Sequence, residues 1–317
     1  MSARRPTIAL AGSEWHDRRT LSGRCGLVCR LPASPSNERL LAALQARGIA
    51  ARAVHPAALS TSVAPAGAAG DAGDADAAAT LFVCRLPSGT PPAWLLPLRL
   101  AERAGRRFVN RPSALAVAHD KPEALARLSA AGLPVPPTRC IVSGGSDDLA
   151  GLPGERFVVK PAAGASGHGV TVGLDRATAA ACAAAFADAS GPVLVQPLLG
   201  EGLDRRLLLA GGRLIAAMER RPARLDGRGN LVYGARATAL QPSAEETALA
   251  LAAVRALQLD VAAVDLLVHE GRALVLEVNS APGLVGIERA TGIDVAGALA
   301  AFVADRLAER TSEAEKV

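Results

Sequence analysis

Asp265, Glu277 and Asn279 are the residues whose types and spacing most directly suggest chemistry. In Ala263-Val-Asp-Leu-Leu-Val268 the side chains of Val264, Leu266 and Val268 share one strand face and Asp265 takes the other. In Leu274–Asn279, Leu274, Leu276 and Val278 share a face while Glu277 and Asn279 oppose them. A hairpin turning on His269-Glu270-Gly271, with glycine in the left-handed position, would pair Val268 with Arg272 and Asp265 with Val275. Glu277 would then lie diagonally from Asp265, close enough to share an ion. Two carboxylates and one amide oxygen are hard donors, and they suit Mg2+ or Mn2+ better than zinc. One carboxylate alone would read as a solvent-facing edge; three oxygen donors ahead of Ser280-Ala-Pro-Gly283 favour the metal.

A second constellation lies upstream. Phe157-Val-Val-Lys160 reads as a buried strand ending in lysine, and Gly164, Gly167 and Gly169, around Ser166, follow it. Glycines so spaced let the backbone approach an anion and meet it with N–H groups. The pattern is neither a Walker A loop nor a dinucleotide fingerprint. Of 35 basic residues only Lys121, Lys160 and Lys316 are lysine. A chain that otherwise relies on arginine has two internal lysines, which fits a need for compact point charges on phosphate rather than planar forks. A triphosphate is the simplest ligand for lysine, glycine loop and hard metal together.

The elements that must position these groups can be read coarsely. Short apolar runs at Thr7–Ala11, Leu27–Arg30, Ala51–His55, Thr80–Cys84 and Phe108–Asn110 surround one clear helix, Asn37–Arg47, which Gly48 stops. This alternation predicts an N-terminal α/β domain, residues 1–110, with a mostly parallel sheet. Ala64–Ala79 is almost wholly Ala, Gly, Asp and Pro and reads as a loop or linker. Residues 111–192 form the next expected domain: Asp120-Lys-Pro-Glu123 opens a helix that Gly132 ends, strands Arg156–Lys160 and Gly169–Gly173 flank the glycine turn, and Asp175 caps a helix to about Asp188. Residues 193–310 form the last, with strands Val193–Gln196, Arg206–Ala210, Arg213–Met218, Ala262–Val268 and Ala273–Asn279. Its helices are a Ser243-Ala-Glu-Glu246 capping-box helix to about Leu257 and a final one over about Val295–Leu307, before a charged tail, 311–317.

Composition narrows the classes. Half of the 317 residues are hydrophobic but only 3% are aromatic, so stacking surfaces for single-stranded nucleic acid are not expected. The net charge of +5 has no clustered basic stripe behind it, which again argues against nucleic acid. No run of about 18 uncharged apolar residues occurs, and Met1–Pro6 leads into too short an apolar stretch for a signal peptide, so a cytoplasmic protein without a membrane partner is expected. Five scattered cysteines make no disulfide framework, and Cys25-x-x-x-Cys29 lacks a second ligand pair, so both read as buried thiols. His16, His55, His119, His168 and His269 show no metal spacing. His168 reads as a solvated loop side chain, and Trp15–Arg19 as a surface turn or a substrate contact.

Several segments taken in order carry a resemblance: Lys160-Pro with its glycine loop, Val193-Leu-Val-Gln196, Asp204-x-Arg206, Met218-Glu-Arg-Arg221 and Arg228-Gly-Asn230. Val264-Asp265, Leu276-Glu-Val-Asn-Ser-Ala-Pro-Gly283 and Gly286-Ile-Glu288 complete it. From about Arg111 to Leu307 the chain resembles the ATP-grasp ligases, and within them the RimK-type alpha-L-glutamate ligases. The resemblance implies an ATP-grasp fold, two α+β subdomains gripping ATP, preceded by a Rossmann-like α/β domain. It implies that Lys121, Lys160 and the loop of Gly164, Ser166, Gly167 and Gly169 meet the nucleotide phosphates. It places Gln196, Pro197, Leu198 and Leu199 at the adenine and Asp204 at the ribose. Arg206, Arg228 and Asn230 would face the transferred phosphate and acceptor, with Asp265, Glu277 and Asn279 on Mg2+.

The implied reaction joins a carboxylate to an amine through an acyl phosphate, with glutamate as the amino acid and a protein terminus, peptide or small coenzyme as acceptor. Pro197, where the family commonly has an acidic residue, and Val232-Tyr233, in place of His-Arg, depart from the pattern and leave the acceptor open. A ligase of other amino-acid specificity, or a nucleotide-binding regulator without turnover, remain the alternatives. The oligomeric state, a homo-oligomer included, is not fixed by the sequence.

Overall fold

The computed structural model describes residues 24–59, 81–143, 149–164, 167–200, 203–221 and 236–314. The expected strand Thr7–Ala11, the cluster Trp15–Arg19, the stretch Ala64–Ala79, Ser166, Arg228, Asn230 and Val232-Tyr233 lie outside the described residues. The chain divides into two compact units, one of residues up to Leu86, Pro91–Ser113 and Asp294 onward, the other of Pro87–Thr90 and Ala114–Ile293.

In the first unit β1 (Arg24–Val28), α1 (Pro35–Ala46), β2 (Ala50–Val54), β3 (Leu81–Cys84), α2 (Leu96–Arg103) and β4 (Phe108–Val109) follow one another. The strands pair in parallel in the order β2-β1-β3-β4. All four residues of β3, Leu-Phe-Val-Cys, are buried, as expected of a parallel strand covered on both faces. Helix α1 starts earlier than its apolar face suggests, because Pro35 fits the first turn and the Ser34 hydroxyl accepts from Asn37 N. Cys25 and Cys29 are buried, and burial pushes their thiols up to about 12 and about 11.

The second unit holds two antiparallel sheets. Helix α3 (Pro112–His119) leads to α4 (Lys121–Ala130), where the Asp120 carboxylate caps the N-terminus by accepting from Glu123 N. Then come β5 (Arg139–Ile141), β6 (Phe157–Pro161), β7 (Thr171–Leu174), α5 (Arg176–Ser190) and β8 (Val193–Pro197), with sheet order β5-β8-β6-β7. Ala179, Ala183 and Ala187, four apart on α5, pack against Phe157, Val159, Val193 and Val195. The larger sheet is built from β9 (Asp204–Ala210), β10 (Arg213–Arg221), β11 (Arg236–Ala239), β12 (Val261–His269) and β13 (Arg272–Asn279), in the order β11-β10-β9-β12-β13. Helix α6 (Ala244–Ala256) opens with the complete Ser243/Glu246 capping box and packs on Leu207, Leu209, Val264, Leu266 and Val275. Helix α7 (Val285–Thr291) follows, ending at left-handed Gly292.

Three expectations are corrected. The β12–β13 turn has two central residues, not three: Glu270 and Gly271 both take positive φ, 50° and 74°, and His269 faces Arg272. That is the geometry of a tight hairpin whose twist matches its strands. A two-residue turn alone would shift every downstream partner, but the register changes between Asp265 and Leu266, with Leu276 as the extra residue on β13. Asp265 therefore faces Glu277 directly rather than diagonally, and Ala263 faces Asn279. The last helix, α8 (Val295–Ala314), continues well past Leu307. The residues after Leu307 include no glycine or proline to stop it, and Arg306 pairs with Glu309 along it. The sequence reading put this helix at the end of the third domain; by compactness it groups with the first unit, against α1. No helix among the described residues is long and apolar enough to cross a membrane.

Candidate active site

Strand β9 lies between β10 and β12, and its register sets the charges. Asp204 faces Arg220 and Leu267, while Arg206 faces Met218 and Asp265. Alternation puts Asp204 and Arg206 on one face of the sheet, with Arg205 on the other toward α6. Arg206 donates Nε to Asp265 Oδ1 at 2.7 Å and Nη2 to Oδ2 at 2.6 Å, a two-pronged fork. Arg220 donates Nε to Asp204 Oδ1 at 2.5 Å and sets Nη2 3.0 Å from Asp265 Oδ2. Asn279 Nδ2 reaches the same Oδ2 at 3.3 Å.

Asp204, Arg220 and Asp265 are all buried. Burial pushes the Asp265 carboxyl up, but Arg206 and Arg220 outweigh it and hold the group down at about 2. Asp204 goes the other way, raised to about 6 by burial and the neighbouring Asp265 charge, which Arg220 only partly offsets. Burial alone would weaken the Arg220 cation; the two carboxylates reverse that and hold it above its ordinary value.

The lysines stand on the smaller sheet and on α4. Lys160, near the end of β6, faces Leu194 on β8. Lys121 opens α4, donates Nζ to the Gly164 carbonyl at 2.6 Å and lies 3.7 Å from Glu277 Oε1. Burial pushes Lys160 down to about 8, with the Glu277 charge opposing that shift and Lys121 adding to it. The three groups therefore feel one another's charge. Gly164, Gly167 and Gly169 all take positive φ, and a Cβ at Gly169 would come within 2.9 Å of the Pro161 ring. His168 is exposed.

The structure thus brings Lys121, Lys160, Gly164, Glu277, Asp265, Asn279 and Arg206 into one linked set. Gln196 is buried and donates Nε2 to Thr138 Oγ1 at 2.8 Å; Pro197 ends β8, and Leu198 and Leu199 follow, half-buried. The Asp204 carboxylate, expected at a ribose, is taken by Arg220. Among the described residues no three His, Cys, Asp or Glu side chains gather as a metal cluster. Sequence reasoning gave no role to two residues. Arg220 was one arginine in a Glu-Arg-Arg run, and only the β9–β10 register shows that it points at two carboxylates. Buried His119 lies 3.2 Å from Ser280 Oγ through Nε2, so it ties the segment carrying Lys121 to the one carrying Asn279; no spacing signal marks it.

A family model described as the RimK-like ATP-grasp domain matches residues 118–303, a span holding every one of these groups. The chain belongs to the RimK-like ATP-grasp family. A probable alpha-L-glutamate ligase of Klebsiella pneumoniae (strain 342) is 39% identical over 210 residues, 65% of this chain and 70% of that protein. A ribosomal protein bS6–L-glutamate ligase of Shigella boydii serotype 4 (strain Sb227) is 37% identical over 212 residues, with the same coverage of 65% and 70%. The RimK-domain ATP-grasp protein of Sphaerobacter thermophilus DSM 20745 superposes with a TM-score of 0.66 at 24% identity, over 88% of this chain and 99% of that one, and supports the fold. ATP-grasp ligases are ATP-dependent carboxylate–amine ligases, and this chain is an enzyme of that class. The sheet of β6 carries Lys160 and α4 carries Lys121, while the sheet of β9–β13 carries the carboxylates.

Proposed function

We propose that this ATP-grasp ligase joins glutamate to the terminus of a protein or peptide. The observation that carries the reading is the convergence of Lys121, Lys160 and Gly164 on Glu277, next to Asp265, Asn279 and Arg206. Cations beside a glycine loop suit the phosphates of ATP, and hard oxygen donors across from them suit the magnesium that accompanies it. When bound, Mg2+ would neutralise charge on the phosphate oxygens.

A substrate carboxylate attacks the γ-phosphorus as the bond to ADP breaks. The amine of the second substrate then attacks the acyl carbon, inorganic phosphate leaves and the nitrogen loses its proton. The chain supplies positioning and charge for both steps and no nucleophile of its own. Lys121 and Lys160 hold phosphate oxygens, and Gln196–Leu199 line the adenine. Arg206, Arg228 and Asn230 are assigned to the transferred phosphate and the acceptor, and the glycine loop to excluding water from the acyl phosphate. Asp204 serves as the counter-ion of Arg220. The Shigella relative, named for a ribosomal protein acceptor, favours a protein or peptide terminus over a small coenzyme. The parallel N-terminal sheet is read as the Rossmann-like domain that precedes the grasp.

The test is ADP release with Mg-ATP and glutamate, with and without protein and small-molecule extracts of the source cells, followed by mass spectrometry of the products. Release that depends on the protein fraction, with products heavier by glutamyl units, is the expected result. ATP binding without turnover in any fraction, with any amino acid, would overturn the reading.

A further inference from the structure

Asp265 already holds four donors: Arg206 Nε on Oδ1, and Arg206 Nη2, Arg220 Nη2 and Asn279 Nδ2 on Oδ2. Each carboxylate oxygen offers about two lone-pair positions, so Oδ2, with three donors on it, has none left for a cation, while Oδ1 carries Arg206 Nε alone. Asn279 is turned to match. Its amide gives an N–H to Asp265, whereas a hard cation takes the carbonyl oxygen of such a group. The donor set fits magnesium in chemistry, yet two of its three members face each other.

We propose that Arg220 is a positioning residue that keeps the metal site closed. A divalent cation takes Asp265 Oδ2, alone or together with Oδ1, only when Arg220 Nη2 releases it and the Asn279 amide turns over, with Asp204 holding Arg220 as it withdraws. This inference rests on the metal assignment proposed above. Geometry identifies which arginine yields. Arg206 sits directly opposite Asp265 on the neighbouring strand and grips it with two bonds, at 2.6 and 2.7 Å. Arg220 reaches across β9 with one contact at 3.0 Å and has a closer partner, Asp204, at 2.5 Å. The side chains of Arg220 and Asp265 are only 6% and 5% exposed, so little water is at hand to replace a lost partner. A buried guanidinium can leave one carboxylate at low cost only if another already holds it, and Asp204 does.

The experiment measures Mn2+ binding to the full-length protein by electron paramagnetic resonance of the free ion, with and without a non-hydrolysable ATP analogue. Arg220→Lys keeps the charge but replaces two nitrogens held apart in the guanidinium plane with one, so a side chain seated on Asp204 cannot keep a separate donor nitrogen on Asp265. The variant is expected to bind Mn2+ without nucleotide about tenfold more tightly than the unsubstituted protein, the effect of losing one charge-assisted competing bond. Equal affinity would overturn the proposal and leave the metal assignment standing, because nearby charge alone predicts no change. If the unsubstituted protein binds no Mn2+ even with the nucleotide analogue, the metal assignment falls and this inference with it. A second measurement needs no variant: in arginine side-chain nitrogen NMR spectra, saturating Mg2+ and analogue should shift the Arg220 resonances more than those of Arg206. An unmoved Arg220 signal in the loaded protein would also overturn the proposal.

Discussion

The two sides of the site differ in how their charges are balanced. On the lysine side, half-buried Lys160 is pushed down to about 8 by loss of solvation, and Lys121 meets a backbone carbonyl and a carboxylate no closer than 3.7 Å. On the carboxylate side Asp204, Arg220, Asp265 and Arg206 alternate in sign, and each contact is 3.0 Å or shorter. The lysine side holds positive charge with little to neutralise it, ready for an anion. The carboxylate side is neutralised internally and must rearrange before it can take a cation.

The sharpest way to break this comparison is Glu277→Gln, because Glu277 belongs to both sides: it lies near Lys121 and faces Asp265 across the hairpin. Turnover measured as ADP release should fall by roughly 100- to 1,000-fold, the scale of losing several kcal/mol of charge stabilisation, with circular dichroism unchanged. Near-normal turnover with Mg2+ would remove Glu277 from the metal and leave it only as a counter-ion for the lysines. Lys160→Arg comes next. A planar fork is bulkier than the ammonium it replaces in this half-buried position, so nucleotide affinity by calorimetry should weaken roughly 10- to 100-fold. A variant that binds ATP normally would show that any cation suffices there.

Legibility followed the same division. The lysine side could be read in the chain because lysine is rare here and three glycines follow a strand ending in one. The capping residues Asp120, Asp175 and Ser243 were equally readable, since each cap is a local bond to a backbone N–H three residues on. The carboxylate side was legible only as a set of residues. Its register depends on a bulge that offsets a tight turn, and neither leaves a pattern in alternating hydrophobicity. The partners of Asp265 come from β9 and β10, far upstream in sequence, and are fixed by sheet order rather than spacing. That is why the ion pair of Asp204 with Arg220 could not be read in the chain, and why Arg220 had no role at all.

A pH titration sharpens the contrast with a smaller effect. Lys160 is cationic below about 8 and phosphate binds the cation, so nucleotide affinity should be greatest below that pH. It should fall by up to about tenfold per unit above it, as one proton is lost. The lowered group is the one in the free protein; bound phosphate raises it, so binding near pH 8 should take up a proton, seen as a buffer-dependent enthalpy. Lys160→Met should abolish the uptake. An uptake that survives in the variant would assign the proton elsewhere.

The smallest effect tests whether the other face of the same sheet is independent of this chemistry. Arg205 lies beside Arg206 in sequence, yet it points away from Asp265 and pairs with Glu246, which also closes the capping box with Ser243. Ser243→Ala removes the hydroxyl that caps Glu246 N and should cost about 1 kcal/mol, a Tm drop of roughly 2–4 °C for a unit of this size. Because Glu246 keeps its bonds to Arg205 and to Ser243 N, the helix should stay seated and nucleotide and Mn2+ affinities should not change. If either affinity moved with the cap, strand β9 would be passing strain from Arg205 to Arg206. The carboxylate side could then no longer be treated as closed on itself, because its balance would depend on how firmly α6 is held.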